Sequence, residues 1–338
     1  MIGIRVDVNQ KIATGHIKRD IAIALCLRKM GQECVFISAD ENCLPYLATY
    51  DFKSVILGSV WNDMESELSK LEIVIKENNI ESLLVDSYMV TERYMKKLSE
   101  ITVVTYFDEL GKFGYGCQQL INGVLEPPDY SEAPGKALLG PDYVSLRQEF
   151  SELPPKKIRP NLDRLMITSG GTDNYHFCAD FLEFILQQPQ WNDLQVVVAI
   201  GEFSEDKEVL QRRYANEPRV DLYVNAQNMS ELMSNADYVI TAGGTTLYEV
   251  CAVGTAASCY AIADNQLEIV QSFHERDLVS FAGDFRRNPK ETMQQLLMQM
   301  ENAREEHFRR EQSIKLQRIV DGRGAWRIAE ALVNAPNL

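Results

Sequence analysis

No stretch of this sequence approaches eighteen uninterrupted apolar residues, so no segment is expected to cross a bilayer as a helix. The opening MIGIRVDVNQ has an arginine at its fifth position and lacks the apolar run of a secretory signal, so a cytoplasmic protein is expected. Basic charge is scarce: 34 Lys and Arg stand against 49 Asp and Glu, a formal net charge of -15. That balance excludes the basic surface on which non-specific nucleic-acid binding depends. It leaves room for a small anion held by one or two arginines and a helix N-terminus. CxxC pairs are missing, and the seven cysteines (Cys26, Cys34, Cys43, Cys117, Cys178, Cys251, Cys259) are scattered singly, which reads as reduced core residues. There is no HExxH, no Asp-x-Asp pair, and no metal-site spacing among His16, His176, His274 and His307. Neither a metal nor a cofactor is expected.

What is present is ordinary globular composition, 45% hydrophobic and 25% charged over 338 residues. That length exceeds what one core usually serves, so two domains are expected. IGIRVDV, a helix from about 15 to 30, and ECVFISA make a βαβ opening. SLLVDSY and ITVVTYFDE continue it as buried strands, with helical stretches near 62–78 and 91–99. Between 126 and 160, EPPDY, SEAPGK and SELPPKKIRP carry too much proline for helix or central strand and read as the interdomain segment. A second alternation follows: DRLMITSGG, a helix near 175–187, LQVVVAIG, a helix near 205–216, VDLYV, ADYVITAGG and AASCYAI, with helices at 265–274, 289–310 and 325–334. The expected architecture is α/β, two Rossmann-like doubly wound domains, residues 1–150 and 151–338.

Ligands of such sheets bind beyond the carboxyl ends of strands, so the loops after strands are the ones to read. RVDVNQKIATGHIKRD places Gly15 and His16 at the turn into the first helix, with Arg5, Asp7 and Arg19 nearby. Glycine lets the backbone approach a ligand, and the positive end of the helix dipole disfavours an imidazolium, which suits His16 to the work of a general base. Its structural alternative is a histidine that packs or caps at the helix start. SGGTD (Gly170, Gly171, Thr172) and AGGTT (Gly243, Gly244, Thr245, Thr246) each follow an apolar strand and precede a helix, an arrangement that offers backbone N–H groups and a hydroxyl to phosphate oxygens. Glu249, one turn into the helix after AGGTT, is placed to accept two ribose hydroxyls. Asp264, Asn265 and Gln266 offer amide and carboxyl groups to sugar hydroxyls, or cap a helix. Asp86, Ser87, Tyr88, Asp108 and Glu109 also end strands. Neither GxGxxG nor GxxxxGK[ST] occurs, which removes the usual dinucleotide and P-loop readings and leaves a nucleoside diphosphate.

Arg5, Asp7, Thr14-Gly15-His16, Arg19, the Asp86/Tyr88 strand end, FDE, Asn122, LGPDYVSLRQEF, SGGTD, GGTTLYE, DNQ and DGRGAWRI together resemble the UDP-sugar hydrolases of the pseudaminic acid pathway, nearly end to end. The GHIxRD and LRxEF stretches are the most specific. The resemblance implies a GT-B-like fold, two domains facing each other across a cleft, and metal-independent chemistry. The implied reaction is hydrolysis of UDP-2,4-diacetamido-2,4,6-trideoxy-β-L-altropyranose to free sugar and UDP, with inversion at the anomeric carbon. This reaction serves nonulosonic acid synthesis, and so flagellin or surface-polysaccharide glycosylation. His16 would activate water, Tyr88 line the sugar pocket, Glu249 hold ribose, Gly244, Thr245 and Thr246 meet the diphosphate, and Asn265 and Gln266 contact the sugar or β-phosphate. Ser87 stands where the family leads one to expect histidine.

Two rivals share this architecture: a glycosyltransferase that offers His16 an acceptor hydroxyl, and a non-catalytic UDP-sugar-binding protein. The acidic balance and the lack of an amphipathic membrane-binding segment favour the hydrolase over a transferase acting on lipid-linked acceptors. The expected partners are therefore the UDP-sugar and UDP alone, with no nucleic acid, no stable membrane association, and a monomeric chain.

Overall fold

The computed structural model describes residues 1–9, 11–12, 14–111, 116–133, 135–171 and 173–335, and the chain divides into two compact units. Unit one comprises Met1–Gln148 with Arg323–Leu338, and unit two Glu149–Gly322.

In unit one the order is β1 (Ile2–Val6), α1 (Gly15–Lys29), β2 (Cys34–Ser38), α2 (Leu44–Ala48), β3 (Lys53–Ile56), α3 (Leu68–Glu77), β4 (Ser82–Asp86), α4 (Glu92–Ser99), β5 (Val103–Phe107), β6 (Gln119–Asn122) and β7 (Lys136–Leu139). The strands form one seven-stranded parallel sheet, ordered β3-β2-β1-β4-β5-β6-β7. β1, β2, β4 and β5 are buried along their whole length, as parallel strands covered on both faces must be, whereas edge strands β3 and β7 are partly exposed. One face packs Ile4, Val6 and Leu84 under Ile17, Ile21 and Leu27 of α1. The other packs Leu83, Val85 and Val104 under α3 and α4.

In unit two the order is β8 (Arg164–Thr168), α5 (Phe177–Leu186), β9 (Gln195–Ile200), α6 (Lys207–Arg213), β10 (Val220–Val224), α7 (Met229–Asn235), β11 (Tyr238–Ala242), α8 (Thr245–Val253), β12 (Ala257–Ala261), α9 (Asp264–Glu275), β13 (Ser280–Asp284), α10 (Pro289–Asn302) and α11 (Glu306–Leu316). Its six-stranded parallel sheet runs β10-β9-β8-β11-β12-β13.

Three sequence expectations change. The segment 126–160 is not wholly a connector, because Lys136–Leu139 forms edge strand β7. The helix expected over 289–310 is two helices, broken between Asn302 and Glu306. The division at 150/151 fails at its C-terminal end: α12 (Gly324–Val333) belongs to unit one. Ala325, Ile328, Ala329 and Leu332 recur at helical spacing and are buried in the same core as Ile17 and Ile21 of α1. Burial of Ile328 and Leu332 alone is worth about 1.5–3 kcal/mol per side chain. The helix can start there because a Cβ on Gly324 would lie 2.1 Å from the Val144 carbonyl oxygen, an approach open only to glycine.

Candidate active site

In each sheet the strand order reverses direction beside the first strand, between β1 and β4 in unit one and between β8 and β11 in unit two. Crevices of doubly wound sheets open at these points. His16, Arg19, Asp86, Tyr88 and Glu109 meet at the first, and the loops after β8, β11 and β12 adjoin at the second.

In unit one, His16 lies in the first turn of α1 and is 6% exposed. Its Nδ1 stands 2.6 Å from Oδ1 of Asp86, the last residue of β4. A carboxylate only accepts, so Nδ1 carries the hydrogen, and in the neutral ring Nε2 keeps the lone pair. Arg19 Nη2 also comes within 3.3 Å of the same Nδ1, but its two hydrogens have acceptors in Asp86 Oδ1 at 2.5 Å and Glu109 Oε2 at 3.3 Å. Two donors thus crowd one acceptor, and the tautomer stands. Arg19 Nε donates to Asp86 Oδ2 at 2.6 Å and Nη1 to Glu109 Oε1 at 2.5 Å, while the guanidinium lies 4.3 Å from the centre of the Phe107 ring. Tyr88 donates to Glu109 Oε2 at 2.7 Å and meets the His16 ring edge-to-face at 4.7 Å. Burial alone would raise the Asp86 carboxyl, but the Arg19 charge and the hydrogen bonds from Arg19 and His16 outweigh it and hold Asp86 well below the usual carboxylate range. Glu109 is lowered in the same way, with Arg19 the main opponent of burial. Burial, then the Glu109 charge, pushes the Tyr88 phenol up and keeps it a hydrogen-bond donor.

Arg5 and Asp7, expected at the substrate, instead form a structural cluster. Arg5 is 0% exposed and donates through Nε and Nη2 to both oxygens of Glu67 at 2.7 Å, and its Nη1 lies 2.7 Å from Asp7 Oδ2. Tyr94 and Ser59 complete the Glu67 carboxylate, and Asp7 Oδ1 accepts the Ala39 amide at 2.8 Å. Gly15 opens α1, and among the described residues, apart from its chain neighbours and its own helix backbone, no atom stands within 4 Å of where its Cβ would be.

In unit two the loops after β8, β11 and β12 adjoin. A Cβ on Gly170 would lie 3.5 Å from Thr246 Oγ1, and one on Gly244 3.9 Å from Gln266 Nε2. Gly244 is the extended residue before α8, and no described side chain caps that helix. The SGGTD loop differs from expectation. Its Asp173 accepts the Phe177 and Cys178 amides at 3.0 and 2.8 Å and so occupies the start of α5 itself. That leaves Gly170 beside Thr246, and Thr172 lies outside the described residues. Thr245 is exposed, Thr246 and Glu249 are half-buried on α8, and Asn265 is exposed on α9. Gln266 spends its Oε1 on the Ile262 amide at 2.9 Å, leaving Nε2 toward Gly244. A contributor missed from sequence is Gly201: a Cβ there would lie 2.1 Å from the Gly171 carbonyl oxygen, so glycine just after β9 lets the SGGTD loop settle. Among the described residues no group of three His, Cys, Asp or Glu is placed to hold a metal ion, and no helix is long and apolar enough to cross a membrane.

Residues 165–280 match the glycosyltransferase family 28 C-terminal domain. Over 98% of this chain and 99% of its own, the MurG of Acinetobacter baumannii superposes with a TM-score of 0.69 at 12% identity. The fold is GT-B-like. In sequence, the chain is 23% identical to the spore coat polysaccharide biosynthesis protein SpsG of Bacillus subtilis over 98% of this chain and 97% of that protein. It is 22% identical to the UDP-2,4-diacetamido-2,4,6-trideoxy-β-L-altropyranose hydrolase of Campylobacter jejuni, covering 72% of this chain and 85% of that one. An uncharacterized Methanocaldococcus jannaschii protein, MJ1062, is 25% identical over 75% of this chain, which spans only 54% of that relative's length.

Proposed function

We propose that this chain is an enzyme acting on a nucleotide sugar, and that it hydrolyses a UDP-linked diacetamido-trideoxyhexose to free sugar and UDP with inversion. The observation that carries this reading is the His16–Asp86 pair at the β1/β4 reversal, which fixes the proton on Nδ1 and leaves Nε2 as the base. In the proposed step Nε2 takes a proton from water as the water oxygen bonds to the anomeric carbon. The bond from that carbon to the diphosphate oxygen breaks, and UDP departs with the electron pair. Asp86 stabilises the imidazolium so formed. The open start of α8, with Gly244, Thr245 and Thr246, receives the charge developing on the diphosphate, and Glu249 holds the ribose. Tyr88, fixed against Glu109 and the His16 ring, lines the sugar end.

The likeness to the Campylobacter jejuni hydrolase supports water as the acceptor. The match to the glycosyltransferase family 28 C-terminal domain favours a second reading, transfer of the sugar to an acceptor hydroxyl by the same base. UDP release from candidate UDP-sugars with no added acceptor tests the choice. Sustained turnover, one free sugar per UDP, supports hydrolysis, whereas release only with an acceptor supports transfer.

A further inference from the structure

α1 carries one carboxyl, that of Asp20, and the proposed reaction does not use it. Asp20 is 0% exposed, both its oxygens are sealed from solvent, and neither meets a hydrogen-bond donor among the described residues. Its carboxyl faces that of Asp86 within hydrogen-bond reach. Among the described residues, the other charged or titratable groups around the pair are Arg19 and His16 on α1, Tyr88 after β4 and Glu109 after β5. Arg19 directs Nε, Nη1 and Nη2 to Asp86 and Glu109 and gives no hydrogen bond to Asp20.

Two facing carboxylates with no donor between them cannot both be ionised in a buried site, because each would lose its hydration and repel the other. One proton between them converts the contact into a hydrogen bond. Asp86 is the partner that keeps the charge, since it already accepts from Arg19 through both oxygens and from His16. We propose that Asp20 is a neutral carboxylic acid that donates to Asp86, a positioning residue that fixes the carboxylate behind His16. Burial and the neighbouring Asp86 charge both favour the proton on Asp20.

The arrangement has a consequence for the base, which rests on the hydrolytic reading above. With Asp20 neutral, Arg19, Asp86 and Glu109 sum to one negative charge. An ionised Asp20 would make it two, unbalancing the charge behind the base.

The test compares wild type with Asp20→Asn, which preserves shape and a donor. Folding holds a proton that the unfolded chain releases above about pH 4. Wild type therefore loses stability relative to the variant as pH rises, by about tenfold in the unfolding constant per pH unit. Urea unfolding between pH 5 and 8 reads this directly, and a ratio that is flat or moves the other way overturns the proposal. Infrared spectra of wild type should carry a buried protonated-carboxyl band, and its absence overturns the proposal even where the variant fails to fold. In kinetics, Asp20→Ala should lower kcat about tenfold or more with KM little changed, and Asp20→Asn should recover most of that loss. Equal losses in the two variants would reduce Asp20 to packing. The unfolding and infrared measurements need no substrate, so a neutral Asp20 in a protein that releases no UDP would sink the hydrolytic reading and leave the carboxyl pair standing.

Discussion

The chemistry proposed for this chain rests on one proton's location. Asp86 holds a hydrogen on Nδ1 of His16 by accepting it at 2.6 Å, and Asp86→Asn would offer a donor amide or a weaker acceptor in its place. That substitution should cost on the order of 10²–10⁴-fold in kcat, because the wrong tautomer leaves Nε2 without a lone pair. His16→Ala should lose a similar factor, keep UDP binding, and abolish the acidic limb of kcat/KM, since only a protonatable base makes one. Near-normal kcat in that variant would assign His16 to packing and direct attention to another base. Glu249→Ala should weaken UDP binding by roughly 1–3 kcal/mol through lost ribose hydrogen bonds, and unchanged affinity in calorimetry would remove it from the site. At this scale the sequence was legible where residues that meet are also close in the chain: the GHIxRD stretch marks His16 and Arg19, which both reach Asp86. Arg5 and Asp7 carry the same kinds of group and read as ligands, yet Arg5 pairs with Glu67, 62 positions away. No local spacing reveals a buried ion cluster closed across that distance. Asp20 passed unread for the same reason, because its meaning lies in facing Asp86.

Among the elements, strong apolar strands and long helices could be read directly from their periodicity, and the two βα alternations follow from it. Short or weakly patterned pieces could not: β3, β6, β7 and β13 are four or five residues each, and KALL in β7 is surrounded by proline-rich chain. The placement of α12 depends on tertiary packing, since an amphipathic helix announces a buried face but not which core receives it. Glycine contacts give the sharpest element-scale expectations. Gly324→Ala would push a methyl into the Val144 carbonyl oxygen and should destabilise unit one by about 1–3 kcal/mol in urea unfolding. Gly201→Ala would drive into Gly171 and displace the SGGTD loop. The expected result is weaker UDP binding, and intact affinity would show that this loop does not meet the nucleotide.

For the molecule as a whole, pH and metal dependence follow from the same groups. Asp86 and Glu109 have folded-state affinities for protons below their unfolded ones, so their contribution to stability is complete above about pH 4–5 and is lost as pH falls through the folded values. Asp86→Asn should therefore flatten the acid side of the stability profile, and an unchanged acid slope would contradict the ion-pair account. Turnover should survive EDTA, because the charge on the leaving diphosphate is assigned to α8 rather than to a cation; a large loss restored by Mg²⁺ would reverse that assignment. The central claim is that this GT-B-like protein passes the sugar to water. Its most direct test is the stoichiometry of UDP and free sugar when purified protein meets UDP-2,4-diacetamido-2,4,6-trideoxy-β-L-altropyranose with no other acceptor. The account predicts catalytic, equimolar release that disappears in His16→Ala. Release that needs an added acceptor hydroxyl, or binding without any release, would contradict it.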